Sequence, residues 1–517
     1  MNEMALLVAL PLLGAFLIPV VARISDFAAK LLGPLIILFI LGLCFSAWNA
    51  LGSSATAIYL GGFIPPMGIT FYIDQFAILM SILVSLVFLV IWPWNKEVEL
   101  REYSLYLLLL AASFGLVLSG DLFNLYVFYE LLAVASYGLI ANQSKHRGLA
   151  AAVTLRFLFI SSAGSVLLLL GIAIIYTLTG SLNIAHLAVV APEKLHNLAG
   201  FSAFILIAIG AGVKAEMFPV NAWVSEVYAV VSKPLAVLMA GLISKLAVIL
   251  IIRVLLMLYQ QPEALQFLLI VGVLGVISGE LVAWRARDMI RMLSFSSIAQ
   301  LGLIFIAFSI AGEKGLWIGL ALMIHHLIVK GGLFFLAEKL NGSFANLTGC
   351  ASRSPFAVAL FVLFVLSLLG IPPLPGFWIK LALILNLAAE VDSMYFYAIV
   401  FILIATVIEA AYLFKLITRM YQIEESQQLL PTSHSSSVKT SENRLYYRFA
   451  QLFAVLLISV MVFISPIEKT LFNIARQSSD VNFYIKTVFP GYYRSHAISK
   501  QQTDPKQLSP DKRGETS

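Results

Sequence analysis

The chain has 517 residues, of which 61% are hydrophobic and only 12% charged, with a formal net charge of +6. Soluble domains carry about a quarter of their residues as charges, so this composition excludes a water-soluble enzyme or binding module and points to a polytopic membrane protein. The two cysteines, Cys44 and Cys350, support neither a disulfide framework nor a metal or iron–sulfur site. A phosphate-cradling Gly-rich loop is missing from the sequence, so ATP is not expected to drive the chain directly. No cofactor, no metal and no nucleic-acid partner is expected.

Taken in order, apolar runs of about 20 residues lie near 4–22, 31–51, 72–94, 104–119, 121–141, 150–177, 200–232, 234–258, 264–284, 292–312, 315–338, 354–390, 395–418 and 447–466. The first run lacks a basic leader and a clear cleavage site and is read as a span, not a removed signal. The expected fold is an all-α polytopic membrane protein of about 14 transmembrane helices. Spans 7 and 12 are too long for one crossing, and both hold prolines: Pro219 in the seventh, Pro372, Pro373 and Pro375 in the twelfth. Proline removes a backbone donor and turns the preceding residue out of helical geometry. A bilayer tolerates such a break only where the freed backbone is buried in protein or lines a wet cavity.

The breaks lie five spans apart, which divides the chain into repeats at 104–258 (spans 4–8) and 264–418 (spans 9–13). Five is odd, so the second unit enters the membrane from the opposite side. Inverted five-helix repeats of this kind place ion sites at broken helices near the midplane. Spans 1–3 occupy 1–103. Residues 419–446 hold a Ser/Gln-rich stretch and read as a flexible cytoplasmic loop. Residues 447–494 comprise the last span and a segment whose Ile467, Leu471, Ile474, Phe483 and Ile485 suit a membrane surface. Residues 495–517 read as a disordered tail.

Loops after odd-numbered spans carry Arg23, Lys30, Lys96, Arg101, Lys145, Arg147, Lys233, Arg285, Arg287, Arg291, Lys339, Arg353, Arg419, Lys439, Arg444 and Arg448, whereas loops after even-numbered spans carry only Lys194 and Lys314. Basic loops stay in the cytoplasm. Odd loops are therefore expected inside, and both termini outside, a cell membrane that the chain crosses many times.

Ionisable residues inside spans are costly and mark function. Here they are Glu130 in span 5, Lys214 in span 7 five residues before Pro219, Lys245 in span 8, His325, His326 and Lys330 in span 11, Lys380 in span 12 and Glu409 in span 13. For Lys214 alone, snorkelling to the interface is the bland alternative; for the histidines it is a satisfied core role. Acidic and basic groups nevertheless alternate along the spans. A buried Lys–Glu pair is cheaper than either charge alone, and its hold on a proton depends on whether the pair is closed. Lysine can carry a proton where arginine cannot release one. His326 and Lys330, four apart, share a helix face. His325 points about 100° away, so His326 is the expected relay member. Arg156 and Arg253 read as interfacial. Glu216 and Glu226 read as counter-ions or headgroup-exposed residues, and Glu280 as a partner of the basic cluster that follows it.

These motifs resemble the antiporter-like subunit family shared by Mrp-type cation/proton antiporters, respiratory complex I and membrane-bound hydrogenases. FNLYVFYELLAVASYGL is similar to the family's glutamate helix, with Glu130 on the glutamate. GVKAEMFPVNAWVSEVYAVVSKPLAVLMAGLISKLAVILIIR is similar to its broken-helix signature, with Lys214 and Lys245 on the two lysines. RDMIRMLSFSSIAQLG, HHLIVKGGLFFL and GIPPLPGFWIKLALI resemble three further family segments, in the expected order. Asn221 stands where the family often has a histidine after the break proline, and Glu409 is not expected in every member.

The resemblance implies a proton-translocating subunit of a multi-subunit Na+/proton antiporter, close to the Mrp D-type subunit. Protons would run along Glu130, Lys214, Lys245, His326, Lys330 and Lys380, with His325 and Glu409 as further candidates. The expected partners are other membrane subunits, the lipid bilayer, protons and Na+, and the chain is expected to be a transporter subunit, not an enzyme. The alternative implied is a proton-pumping subunit of a redox complex, an NADH–quinone oxidoreductase or a hydrogenase. A non-conducting scaffold is the third reading, and the full set of buried charges argues against it.

Overall fold

A computed structural model describes residues 2–94, 99–143, 147–340, 344–422 and 438–490. The Ser/Gln-rich stretch at 423–437, the tail at 495–517 and the loop lysines Lys96 and Lys145 lie outside the described residues.

Two helices, α1 (Leu6–Ala22) and α2 (Asp26–Leu51), open the chain. A hairpin follows in which β1 (Thr56–Tyr59) pairs antiparallel with β2 (Thr70–Ile73). Span 3 therefore starts as a strand where the sequence predicts an uninterrupted apolar helix from residue 72. β-Branched and aromatic side chains at Thr70, Phe71, Tyr72 and Ile73 favour extended backbone, and Asp74 then caps α3 (Gln75–Ile91) by accepting from Ala77 N at 2.8 Å. The chain continues through α4 (Leu100–Leu118), α5 (Leu122–Ala141), α6 (Arg147–Thr179) and a short α7 (Ile184–Lys194). This last helix lies between the sixth and seventh apolar runs, where hydropathy alone predicts no element.

Span 7 is two half-helices, α8 (Leu198–Gly212) and α9 (Val224–Val230). Span 8 is α10 (Lys233–Leu238), a π-turn at Met239–Ile243 and α11 (Ser244–Leu258). Next come α12 (Pro262–Arg285), α13 (Met289–Phe308), α14 (Gly312–Lys339) and the single turn α15 (Cys350–Arg353). Span 12 is again two pieces, α16 (Pro355–Leu369) and α17 (Pro375–Ala388). The chain ends with α18 (Ser393–Tyr421), α19 (Val438–Val462), α20 (Ile464–Ser478) and α21 (Val481–Val488).

Among the described residues, eleven helices are long and apolar enough to cross a membrane. The 17-residue α3, α8 of span 7 and both pieces of span 12 are shorter apolar segments. α12 and α13 pack backbone to backbone: a Cβ on Gly279 would sit 2.6 Å from Ala299 N, and one on Gly302 would sit 2.6 Å from Gly272 O. α14 is central, lying against α13, α16, α17, α19 and α20.

The C-terminal segment is built into the fold, beyond the surface role read from its apolar positions. Leu471, Ile474 and Ala475 of α20 and Tyr484, Ile485 and Val488 of α21 are buried. Ser478 Oγ donates to Asp74 Oδ2 at 2.9 Å, and the Tyr59 hydroxyl donates to Val488 O at 3.1 Å. α20 and α21 thus strap the hairpin onto the bundle through polar contacts more than 400 residues apart in sequence.

Candidate functional site

Both helix breaks are ordered by local chemistry. α8 stops at Gly212, seven residues before Pro219, so Lys214 lies within the break and not in the helix upstream of it. The orphaned backbone finds partners: Met217 N donates to Gly212 O at 2.9 Å and Trp223 Nε1 to Val213 O at 2.8 Å. Asn221 Nδ2 donates to Glu216 O at 3.3 Å, so the side chain standing in for the family's histidine ties the break together. In span 12, Gly370 adopts the left-handed φ of +82° that ends α16. A Cβ on Gly376 would lie 1.8 Å from Ser367 O, so only glycine lets α17 start there. Gly376→Ala is expected to abolish assembly, read as loss of the complex on a native gel.

At the first break Lys214 is 1% exposed. Its Nζ lies 3.6 Å from Glu130 Oε1 and 3.3 Å from the centre of the Tyr129 ring. The first distance makes an ion pair but is too long for a hydrogen bond, and the ring adds a cation–π contact. Glu130 also accepts from Ser165 Oγ and is partly exposed. The ammonium therefore sits deep and its counter-ion near an edge.

Glu216 follows two residues later. It is buried, not headgroup-exposed, and has a left-handed φ of +56°, a strained conformation outside glycine, seen chiefly where surrounding structure imposes it. Tyr228 donates to its Oε1 at 2.5 Å, while Oε2 has no hydrogen-bond partner among the described residues. Glu226 instead sits at the surface, paired with Arg156 at 2.8 Å.

Lys245 lies next to the π-turn, and such turns recur at functional positions. Its Nζ donates to Ala240 O at 2.5 Å and to Ser244 Oγ at 3.2 Å, and it meets His326 Nδ1. His326 Nε2 faces Ser297 Oγ at 3.2 Å. With Nδ1 accepting from the ammonium, Nε2 carries the proton toward Ser297. One turn on, Lys330 Nζ donates to Ser296 Oγ at 2.8 Å and Leu293 O at 3.1 Å. His325 turns away and bonds Ser367 Oγ at 2.9 Å. Ser296 and Gln300 share a face of α13, and Gln300 Nε2 donates to Glu409 Oε1 at 3.1 Å. Glu409 Oε2 pairs with Lys380 Nζ at 3.1 Å, beside the last carbonyl of α16, Leu369 O, at 3.4 Å. That carbonyl end of a helix favours a cation.

The structure thus orders these groups along a line of three pieces: Glu130 with Lys214 at the first break, Lys245 with His326 and Ser297, and Lys330 joined through Ser296 and Gln300 of α13 to Glu409 and Lys380 at the second break, with Glu216 two residues beyond Lys214. His325 flanks the line without joining it. Glu216 was readable only as one of two carboxylates near a break.

Two sequence assignments are corrected. Arg253 is buried, not interfacial, because its guanidinium satisfies Val117 O at 3.0 Å and Ser119 O at the end of α4. Glu280 does not pair with the basic cluster; it is buried against Tyr412, whose hydroxyl donates to Oε2 at 2.9 Å. Among the described residues no three His, Cys, Asp or Glu side chains converge as a metal-ligand set.

The family model described as NADH:quinone oxidoreductase/Mrp antiporter, TM, matches residues 119–409, which hold the whole of this line. The chain belongs to that family. The N-type subunit of the NADH-quinone oxidoreductase of Desulforudis audaxviator is 32% identical over 438 residues, covering 78% of this chain and 86% of that protein. The D-type subunit of the Na(+)/H(+) antiporter of Alkalihalophilus pseudofirmus is 31% identical over 413 residues, covering 76% and 83%. Among solved structures, a chain of the membrane-bound sulfane sulfur reductase, an archaeal respiratory membrane complex, superposes with a TM-score of 0.84 at 30% identity, covering 95% of this chain and all of that one. A chain of the Mrp complex from a Dietzia species gives 0.82 at 25% identity, covering 94% and 99%.

Proposed function

We propose that this family member is the proton-translocating subunit of a multi-subunit Na+/proton antiporter in the plasma membrane. The buried line from Glu130–Lys214 to Lys380–Glu409 is the observation that carries the reading. Each break holds a Lys–Glu ion pair, and the groups between the breaks can all hold or pass a proton. Opening either end pair frees its lysine to release a proton into the line, and closing it draws one back. The breaks lie in the units 104–258 and 264–418, which we take as inverted repeats within fourteen crossings. Both termini are then outside and the basic loops inside.

Other membrane subunits complete the machine in this reading, because nothing in the line binds Na+ selectively or moves an electron. The chain purified alone into liposomes is therefore expected to show no Na+-driven proton movement, and the intact complex to show it. Robust exchange by the isolated chain overturns the assembly requirement. The orientation has its own check. A cysteine at Met67, which is 89% exposed, is expected to react with an impermeant reagent from outside, and one within 427–437 only from the cytoplasm. The reverse pattern removes the fourteen-crossing arrangement.

A second reading is favoured by the 32% identity to an NADH-quinone oxidoreductase subunit and the fit to a sulfane sulfur reductase chain. The same line would then serve a redox complex whose other subunits supply the energy. Proton movement by the intact complex that needs an electron donor, and not a Na+ gradient, selects that reading.

A further inference from the structure

Glu280 has no role in the line described above. It lies five residues before Arg285, the last residue of α12, or roughly 7–8 Å along the axis at about 1.5 Å per residue. Arg287 and Arg291 follow on the same side of the membrane. The side chain is 2% exposed. Gly279 presses α12 onto the backbone of Phe295 and Ala299 in α13. Among the described residues no Lys or Arg lies within ion-pairing distance of it.

Its contact is Tyr412 of α18, and Tyr412 also lies beside Ser296, the residue that accepts from Lys330. Lys330 donates to Ser296 Oγ at 2.8 Å, and Tyr412, which lies beside Ser296, donates to Glu280 at 2.9 Å.

We infer that Glu280 is a second proton-loading carboxyl, feeding Lys330 from the basic-loop side of the membrane through Tyr412 and Ser296. This rests on the proton-translocating reading above. The step balances without a co-reactant. The protonated carboxyl gives its proton to the Tyr412 oxygen, the Tyr412 proton passes to Ser296, and the Ser296 proton passes to the neutral amine of Lys330. What remains is a carboxylate, two intact hydroxyls and an ammonium, which suits Tyr412 donating to Glu280 and Lys330 donating to Ser296. Reprotonating Glu280 takes one proton from the solvent on the Arg285 side, so the net step moves one proton from that side onto Lys330. A purely architectural partner for the Tyr412 hydroxyl needs no carboxyl. Glutamine accepts the same bond without the expense of burying an ionisable group.

The test is made in the intact complex in liposomes, with Glu280→Gln, Glu280→Asp and Tyr412→Phe, assembly being checked on a native gel. The two changes that cut the relay are expected to slow proton movement roughly a hundredfold or more, the lower end of the range attributed to one positioned proton-transfer group. Glu280→Asp is expected to keep part of the rate. An infrared difference spectrum across pH is expected to show a carboxylic C=O band that is absent in Glu280→Gln. Wild-type rates in both Glu280→Gln and Tyr412→Phe overturn the inference. If Glu280→Gln does not assemble, Tyr412→Phe alone decides, because it keeps the ring and its packing. If the wild-type complex moves no protons, the functional reading fails on its own. The infrared band then still decides whether Glu280 exchanges a proton, and its absence overturns the assignment.

Discussion

A complex carrying Lys214→Arg is expected to assemble at normal yield and to move protons at least roughly a hundredfold more slowly than the wild type, the scale of losing one proton-transfer group. Arginine keeps the positive charge that Glu130 and the Tyr129 ring receive, at 3.6 Å and 3.3 Å for the lysine. Guanidinium also stacks well on an aromatic face. What it cannot do is release a proton. An architectural pair tolerates the exchange, and a carrier does not.

The two partners also differ in burial, which gives the pair a second signature. Lys214 is 1% exposed and the Glu130 side chain 32%. Removing one partner of a buried pair costs about 3–5 kcal/mol when the charge left behind is fully enclosed. Glu130→Gln strands the enclosed ammonium, whereas Lys214→Ala strands a carboxylate that still reaches an edge. Assembly is therefore expected to suffer more from Glu130→Gln than from Lys214→Ala, read as yield on a native gel. Near-normal proton movement by an assembled Lys214→Arg complex removes Lys214 from the carriers and leaves the pair as architecture.

The spans could be read in the sequence because a bilayer forces long apolar runs, and a buried charge or proline inside one cannot be averaged away. Glu130, Lys214, Lys245, His326, Lys330, Lys380 and Glu409 all stand out on that ground. What could not be read depends on partners far along the chain. Arg253 resembles any arginine near a span end until the ends of α4 and α11 meet and present Val117 O and Ser119 O to it. Glu280 precedes a basic cluster, so local sequence assigns it the wrong partner; Tyr412 lies 132 residues away. Glu216 owes its place to a left-handed backbone that no composition signals. The strand pair and the C-terminal strap were missed for a related reason. Their side chains are apolar enough to pass as membrane-facing, and their contacts with Asp74, Ser53 and Tyr59 join opposite ends of the chain.

His326→Gln is expected to leave the complex assembled and to slow proton movement by roughly a hundredfold or more. Glutamine can reproduce both contacts of the imidazole, its oxygen accepting from Lys245 Nζ and its amide donating to Ser297 Oγ, which lies 3.2 Å from Nε2 in the native protein. It fills a similar space and leaves no buried donor unpaired, so the usual penalty of about 1–3 kcal/mol for an orphaned polar group is avoided. It cannot, however, take a proton on one nitrogen and give it up from the other, which is the property that suits histidine to a relay between two lysines. His325→Gln is the matched comparison. His325 is as deeply placed but points to Ser367 at 2.9 Å, away from both lysines, and its exchange is expected to change the rate less than about threefold on the same scale. The decisive measurement is the ratio of the two rates in complexes with equal assembly. A ratio near one, with both variants close to wild type, makes His326 a satisfied core histidine, and the gap between Lys245 and Lys330 must then be crossed by water along Ser297 and Ser296.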